Sequence, residues 1–377
     1  MSTWIEVPPL PTPVAESVPS PALLFFRDRI VANLERLLQM VEGRAERLCP
    51  HVKTHKTRQI VGMEVARGIV RHKCATLEEA RLLAEAGAQE VLIAYPVVGP
   101  NVPRLIRLAE EHPQTEFAVC VDSLQGVRQL AEAARRSKTA LGVYLDLDVG
   151  MHRTGVPIGE EAERIYAEAG REGFRLLGLH AYDGHNHDPD PSVRRGEAKR
   201  ILEAVLEFRD RLRRRGLPCS SVVIGGTPPL AFYAESEEVI LSPGTVLLHD
   251  AEYTSRYPEL PFRPAAFLLA RVISRPRPDR ITLDLGYKAI SPDRPGAPGM
   301  LPEHPHLEPV GQSEEHWVFQ RGEGPELAIG QPVLVAPRHI CPTVALHRYA
   351  WVCDNGELVD RWEIAARDRV RPEEVML

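Results

Sequence analysis

The heptad His51-Val52-Lys53-Thr54-His55-Lys56-Thr57 holds two of the chain's six lysines, against forty arginines. A lysine amine can lose its proton and attack a carbonyl, which a guanidinium cannot. Unperturbed, about one Lys in two thousand is neutral at pH 7, so nearby cations or apolar surface must shift that balance. The plain alternative is a basic strand end. If residues 48–54 are extended, alternation puts His51, Lys53 and His55 on one face and Val52 and Lys56 on the other. Lys53 is then the expected reactive amine, with His55 among its acid/base partners. Lys56 is expected to be a solvated or phosphate-steering cation.

Two glycine-bearing loops offer a partner for such an amine. In Ile224-Gly225-Gly226-Thr227-Pro228, glycines let backbone N–H groups approach an anion and Thr227 adds a hydroxyl. Ser242-Pro243-Gly244-Thr245 has the same equipment, and either stretch could equally be only a turn. Together they suggest a phosphate site, and a reactive lysine facing it suggests pyridoxal phosphate held as a Schiff base. Farther on, His339-Ile340-Cys341-Pro342-Thr343 puts imidazole and thiol two residues apart. In an extended segment, to which Pro342 biases Cys341, both project the same way and could chelate Zn2+ or another soft divalent cation. A buried His and Cys in a β-core is the alternative. Lys288, in Asp284-Leu285-Gly286-Tyr287-Lys288, could line a site or sit in a salt-bridged turn.

Strands must position these groups. Apolar runs at 47–54, 70–75, 90–96, 116–122, 140–147, 175–182, 221–225 and 239–242 alternate with amphipathic helical segments. Asp28 opens a helix carrying Ile30, Leu34, Leu37, Leu38 and Val41. That alternation predicts an α/β fold with a closed (β/α)8 barrel over 28–252. The alternative, an open doubly wound sheet, lacks a G-x-G-x-x-G after its first strand. Beyond about residue 255 short strands and prolines predict an all-β domain, 253–377, completed by a strand at 22–26 within an N-terminal arm, 1–27. Polar residues at the C-terminal ends of barrel strands form the site in such a fold. They include Lys53, His72–Thr76, Asp146, Asp148, Arg153, His180, Tyr182 and Gly225–Thr227.

Composition narrows the class. A net charge of −6 with no basic face predicts no nucleic-acid partner. Met1–Ile5 has neither the basic nor the apolar region of a leader, and no run approaches the roughly 18 apolar residues of a membrane span. The cysteines (Cys49, Cys74, Cys120, Cys219, Cys341, Cys353) form no CxxC pair, so reduced thiols in a cytoplasm are expected.

In combination these motifs resemble the fold-type III pyridoxal-phosphate enzymes of the D-threonine aldolase / D-serine dehydratase group, with an alanine racemase-like barrel. The resemblance covers about residues 20–370. It rests on the lysine heptad, Lys73-Cys74-Ala75-Thr76, Asp148-Val149-Gly150-Met151-His152-Arg153-Thr154-Gly155 and Tyr182-Asp183-Gly184-His185. Gly225-Gly226-Thr227-Pro228, Asp284-x-Gly286-x-Lys288-Ala289 and His339-x-Cys341-Pro342-Thr343 complete it. It implies that Lys53 is the Schiff-base lysine and that Arg153 and Tyr182 lie against the cofactor. Gly225, Gly226, Thr227, Gly244 and Thr245 would hold its phosphate, and His339 and Cys341 a divalent metal (Zn, Mn or Mg). It further implies a homodimer acting on small D-β-hydroxy-α-amino acids. The motif run leans towards a D-threonine aldolase, while Cys341 is the dehydratase-type ligand. An amino-acid racemase and a non-enzymatic pyridoxal-phosphate carrier are the remaining readings. Cys49 and Val246 depart from the group, which often has Arg and an aromatic there.

Overall fold

The protein is described here by a computed structural model. It describes residues 5–137 and 139–370; residues 1–4, 138 and 371–377, which include the ends of the expected arm and β-domain, lie outside the described residues. The chain divides into two compact units, Leu38–Gly244 with the residues from Asp368, and the chain up to Leu37 with Thr245–Arg367. Helix Arg27–Met40 begins in the second of these. Its Asn33 amide donates to the carbonyls of Leu247 and Arg263, and Arg29 donates to that of Pro264. Those bonds tie the start of the helix to the second unit.

In the first unit seven parallel strands lie side by side in chain order. They are Arg71–Cys74, Glu90–Ile93, Glu116–Val121, Gly142–Asp148, Arg175–Ala181, Ser221–Ile224 and Ile240–Leu241. Helices Leu77–Glu85, Asn101–Glu111, Leu124–Ala134, Glu160–Arg171 and Pro191–Arg214 connect them. The side chains of Thr76, Ser123 and Asp190 cap three of these helices by accepting from Glu79, Gly126 and Ser192 N–H groups. Strands covered on both faces must be apolar throughout, and Phe117 to Val121 is buried at every position.

The segment before the first strand closes the sheet. Leu48 bridges Leu241 on one edge and His51 bridges Lys73 on the other. The N–H groups of Cys49, His51 and Lys73 donate to the carbonyls of Leu241, Pro243 and Pro50, each at 2.8 Å. Pro50, which has no N–H, serves as an acceptor. Cys49 packs inside the barrel with Leu92, Ala118, Cys120, Tyr144 and Val223. Burial pushes its thiol up to about 12. A thiol therefore fills apolar space where the group often carries an arginine.

The expected strand over 47–54 is corrected. Extended pairing ends at His51, and Val52–Thr54 is a turn of 3-10 helix capped by the His51 ring, whose Nδ1 accepts the Lys53 N–H at 3.2 Å. Alternation along a strand therefore does not position Lys53. The expectation for Lys56 is corrected as well. Its ammonium is buried against the Glu79 carboxylate, whose second oxygen accepts the Ala75 N–H at 2.6 Å.

In the second unit the strand order is Leu307–Gln312, Trp317–Arg321, Arg280–Leu283, Ala266–Arg277, Ala22–Phe26, Tyr349–Asp354 and Glu357–Glu363. Pro332–Pro337 pairs with Ala266–Arg277 and with Gly299–Met300. Ala22–Phe26 is buried at all five positions, antiparallel to one neighbour and parallel to the other. No helix among the described residues is long and apolar enough to cross a membrane.

Removing one partner of a buried ion pair strands the other, at a cost of about 3–5 kcal/mol. Glu79→Ala should lower the urea unfolding free energy by about that amount, with Glu79→Gln in between. A loss below ~1 kcal/mol would show that Lys56 finds another partner or water.

Candidate functional site

Three cations surround one aromatic ring at the C-terminal ends of the barrel strands. The Lys53 and Lys73 ammonium nitrogens are each 5.7 Å from the Tyr182 ring centroid, and the Arg153 guanidinium carbon is 4.7 Å from it. Local folding explains each placement. Lys53 leaves the capped 3-10 turn, and its Cε would lie 3.6 Å from a Cβ built on Gly244. Arg153 follows a loop organised by Asp148, whose carboxylate accepts the N–H groups of Gly150 (3.0 Å) and His152 (2.9 Å) and meets the His152 ring at 2.8 Å. Burial opposes those bonds, yet they hold the Asp148 carboxyl below its ordinary range. Tyr182 follows strand Arg175–Ala181, and a Cβ on Gly226 would come within 3.2 Å of its ring. Gly225 takes a left-handed backbone (φ 82°) that glycine alone adopts readily. Thr227 is buried beside them.

Beneath the ring runs a buried polar chain whose members were expected at the strand ends but whose contacts with one another spacing in the sequence did not disclose. The Lys73 ammonium donates to the Ser242 hydroxyl at 2.6 Å and lies 3.5 Å from His180 Nε2. His180 Nδ1 is 2.7 Å from Asp146 Oδ1, and Thr154 donates to the other Asp146 oxygen at 2.8 Å. Ser242 in turn donates to the Gly225 carbonyl at 3.1 Å, tying together the two loops expected to hold phosphate. Burial lowers Lys73 to about 8, with Lys53 adding to the effect. Burial also lowers His180 despite its bond to Asp146, leaving a neutral ring whose Nδ1–H donates to the carboxylate. Ligand atoms of Cys120, Asp146 and His180 lie within 4.8 Å of one another, as cation ligands could. Lys73 already brings a positive charge to that place. The available signal was period-two alternation: His72 turns outward to Glu64 at 3.3 Å, so Lys73 must point inward.

His55 does not share a face with Lys53. It is buried with Nδ1 at 3.1 Å from the Thr57 hydroxyl, and burial lowers it to about 4. The reason is the 3-10 turn, which rotates successive side chains by about 120° where a strand alternates them by 180°.

The expected metal pair lies in the second unit, and its local structure is corrected. His339 is extended, but it caps helix Ile340–Leu346, so Cys341 is helical. Pro342 is tolerated there because first-turn N–H groups need no intrahelical acceptor. The two side chains still interact: burial lowers His339, but Cys341 and Asp293 outweigh it and raise the ring to about 9. Thr245 Oγ1 lies 3.7 Å from Cys341 Sγ. Asp250, raised to about 6 by burial, accepts the Ile340 N–H at 3.3 Å. Lys288 is a surface cation paired with Glu314 at 2.5 Å.

Both sets fit the groups that the resemblance implies. Cations, a ring platform and a glycine loop suit an anionic, planar, phosphorylated cofactor, and an imidazole with a thiol suits a borderline divalent cation.

Comparison with known proteins agrees. Residues 27–251 match the family described as alanine racemase, N-terminal domain, and residues 265–353 the “Putative serine dehydratase domain”. The D-threonine aldolase of Arthrobacter sp is 29% identical over 357 residues, covering 93% of each chain. The D-threo-3-hydroxyaspartate dehydratase of Delftia sp. is 26% identical over 372 residues, covering 91% of this chain and 96% of that one. The crystal structure of D-threonine aldolase from Filomicrobium marinum superposes with a TM-score of 0.86 at 30% identity, covering 95% of this chain and 96% of that one. The chain therefore belongs to the fold-type III pyridoxal-phosphate enzymes built on the alanine racemase N-terminal domain, and is a lyase of that family whose cofactors are pyridoxal phosphate and a divalent metal.

Proposed function

We propose that the protein is a D-threonine aldolase, cleaving the Cα–Cβ bond of D-threonine and related D-β-hydroxy-α-amino acids to glycine and an aldehyde. The observation that carries this reading is the cradle of Lys53, Lys73 and Arg153 about Tyr182, in a chain that also holds the His339–Cys341 pair. Similarity along nearly the whole chain to D-threonine aldolases supports this reading, and similarity to a D-threo-3-hydroxyaspartate dehydratase over a comparable span supports the wider class to which both belong. The homodimer and cytoplasmic location rest on the resemblance and the cysteine pattern.

When bound, pyridoxal phosphate supplies a sink for charge developing at the substrate α-carbon, and the divalent cation a Lewis acid for the β-oxygen. The residues do the rest. Lys53 would hold the cofactor through its amine. Gly225, Gly226 and Thr227, with Gly244, would receive the phosphate through N–H and hydroxyl donors. Tyr182 would offer a flat face, and Arg153 beside it would balance negative charge. The His180–Asp146 bond fixes the tautomer whose Nε2 meets Lys73, so that amine keeps one position. His339 and Cys341 are the metal donors.

Cys341 favours a second reading, a D-serine dehydratase. There the α-proton and the β-hydroxyl leave as water, and water returns to release ammonia and pyruvate, whereas in aldol cleavage the substrate loses its hydroxyl proton, Cα–Cβ breaks, and the α-carbon takes up a proton to give glycine. Metal-loaded holoenzyme should release glycine and acetaldehyde from D-threonine at least tenfold faster than pyruvate from D-serine. The opposite ratio makes the dehydratase the answer.

Borohydride reduction followed by peptide mapping should find the pyridoxyl group on Lys53, and Lys53→Ala should remove the absorption of the attached cofactor. A label on Lys73 or Lys56 would refute the assignment. Chelation by EDTA, or His339→Ala, should cut turnover by a factor of about 100 or more while that absorption persists. Full activity after metal removal would exclude His339 and Cys341 from the reaction.

A further inference from the structure

His339 offers two ring nitrogens, and which one faces a cation depends on the partner of the other. That partner is Asp293, whose Oδ2 lies 2.5 Å from His339 Nδ1. With Nδ1–H donated to a carboxylate, Nε2 is the nitrogen that a cation can take in exchange for its proton. The carboxylate is itself held in place. Asp293 Oδ1 accepts the Ser291 hydroxyl at 2.9 Å, and the Ser291 N–H donates to Thr343 Oγ1 at 3.2 Å. Thr343 Oγ1 then donates to the His339 carbonyl at 2.8 Å, which closes the circuit on the residue where it began. Neighbouring bonds hold the two segments together. The Arg338 guanidinium donates to the Pro295 carbonyl and its N–H to the Pro298 carbonyl, both at 2.8 Å.

Asp293 orients the ring without joining it as a ligand. Both its oxygens are engaged, one by Ser291 and one by His339 Nδ1. Among the described residues only Cys120, Asp146 and His180 bring three such ligand atoms within 4.8 Å of one another, so Asp293, His339 and Cys341 do not form such a triple. We propose that Asp293 is a positioning residue for the divalent metal: the Ser291–Asp293–His339–Thr343 circuit presets the His339 tautomer and presents Nε2 to the cation. The inference rests on the reading of His339 and Cys341 as the metal pair.

A carboxylate behind a metal-bound histidine orients the ring and raises its basicity, and losing one weakens metal binding by a factor of about 10–100. The Asp293 side chain is 39% exposed, so truncating it opens no core cavity. The experiment is Zn2+ titration of the pyridoxal-phosphate-loaded protein against a chromophoric chelator. Wild type, Asp293→Ala, Asp293→Asn and His339→Ala are compared, with the cofactor absorption of each as a check on folding. Asp293→Ala should weaken Zn2+ binding by a factor of about 10–100. Asp293→Asn, whose amide oxygen still accepts from Nδ1, should recover much of that loss, which a merely structural role would not predict. Binding in Asp293→Ala within about threefold of wild type overturns the inference. So does a loss as complete as that of His339→Ala, which would make Asp293 a ligand. If wild type binds no Zn2+ that His339→Ala removes, the metal-pair reading fails and takes this inference with it. Normal wild-type binding with indifferent Asp293 variants defeats the inference alone.

Discussion

Closure of the barrel by residues 48–51 is the constraint on which the rest of the first unit depends. A backbone segment between two sheet edges must satisfy its polar groups on both sides, and this one bonds to Leu241 and Pro243 on one side and Lys73 on the other. Once those bonds are made the chain has no further edge to follow. It turns into the 3-10 helix Val52–Thr54, and the His51 ring caps the turn. Lys53 is held where a strand meets a turn, a stiffer mounting than a free loop. The same closure sets Lys73, the residue paired with His51, on the floor of the barrel.

Burying charge on that floor demands partners, and the partners form the site. Lys73, His180 and Asp146 are each at most 3% exposed, so each must be neutralised or hydrogen-bonded. Ser242 and Thr154 complete the chain. An ammonium at the surface would stay protonated and solvated, whereas burial brings Lys73 to about 8, within reach of neutral pH. Lys56 shows the other solution, full burial against Glu79 on the outer side of the same turn. Two lysines three residues apart thus have opposite fates, one turned towards an aromatic ring and one locked in an ion pair.

In the second unit the ordering principle is a helix start. An N-terminal cap position leaves His339 extended while Cys341 is already helical, and the two still interact despite that change of geometry. Donors at a helix end are held by backbone bonds on one side and side chains on the other. Asp250 takes the Ile340 N–H, and Thr343 takes the His339 carbonyl. An imidazole and a thiol so fixed suit a cation of intermediate softness, and either C–C or C–O cleavage at the β-carbon can use such a cation.

Residue type and order alone determined much of this protein. Scarcity of lysine marked the heptad, strand–helix alternation marked the barrel, and the Gly225-Gly226-Thr227 and His339-x-Cys341 spacings marked candidate groups for a cofactor and a metal. Those signals are local, because apolar periodicity and short motifs survive in one dimension. Tertiary structure decided everything that depends on where a pattern stops. Extended pairing ends at His51, which put His55 against Thr57 and Lys56 against Glu79, and helix formation at Ile340 replaced an extended chelate. Lys73 with His180, and Asp293 with His339, are 107 and 46 residues apart in sequence. No spacing rule links such pairs. Burial of a charge, and the need to satisfy it, brings the first pair together, and a closed hydrogen-bond circuit holds the second.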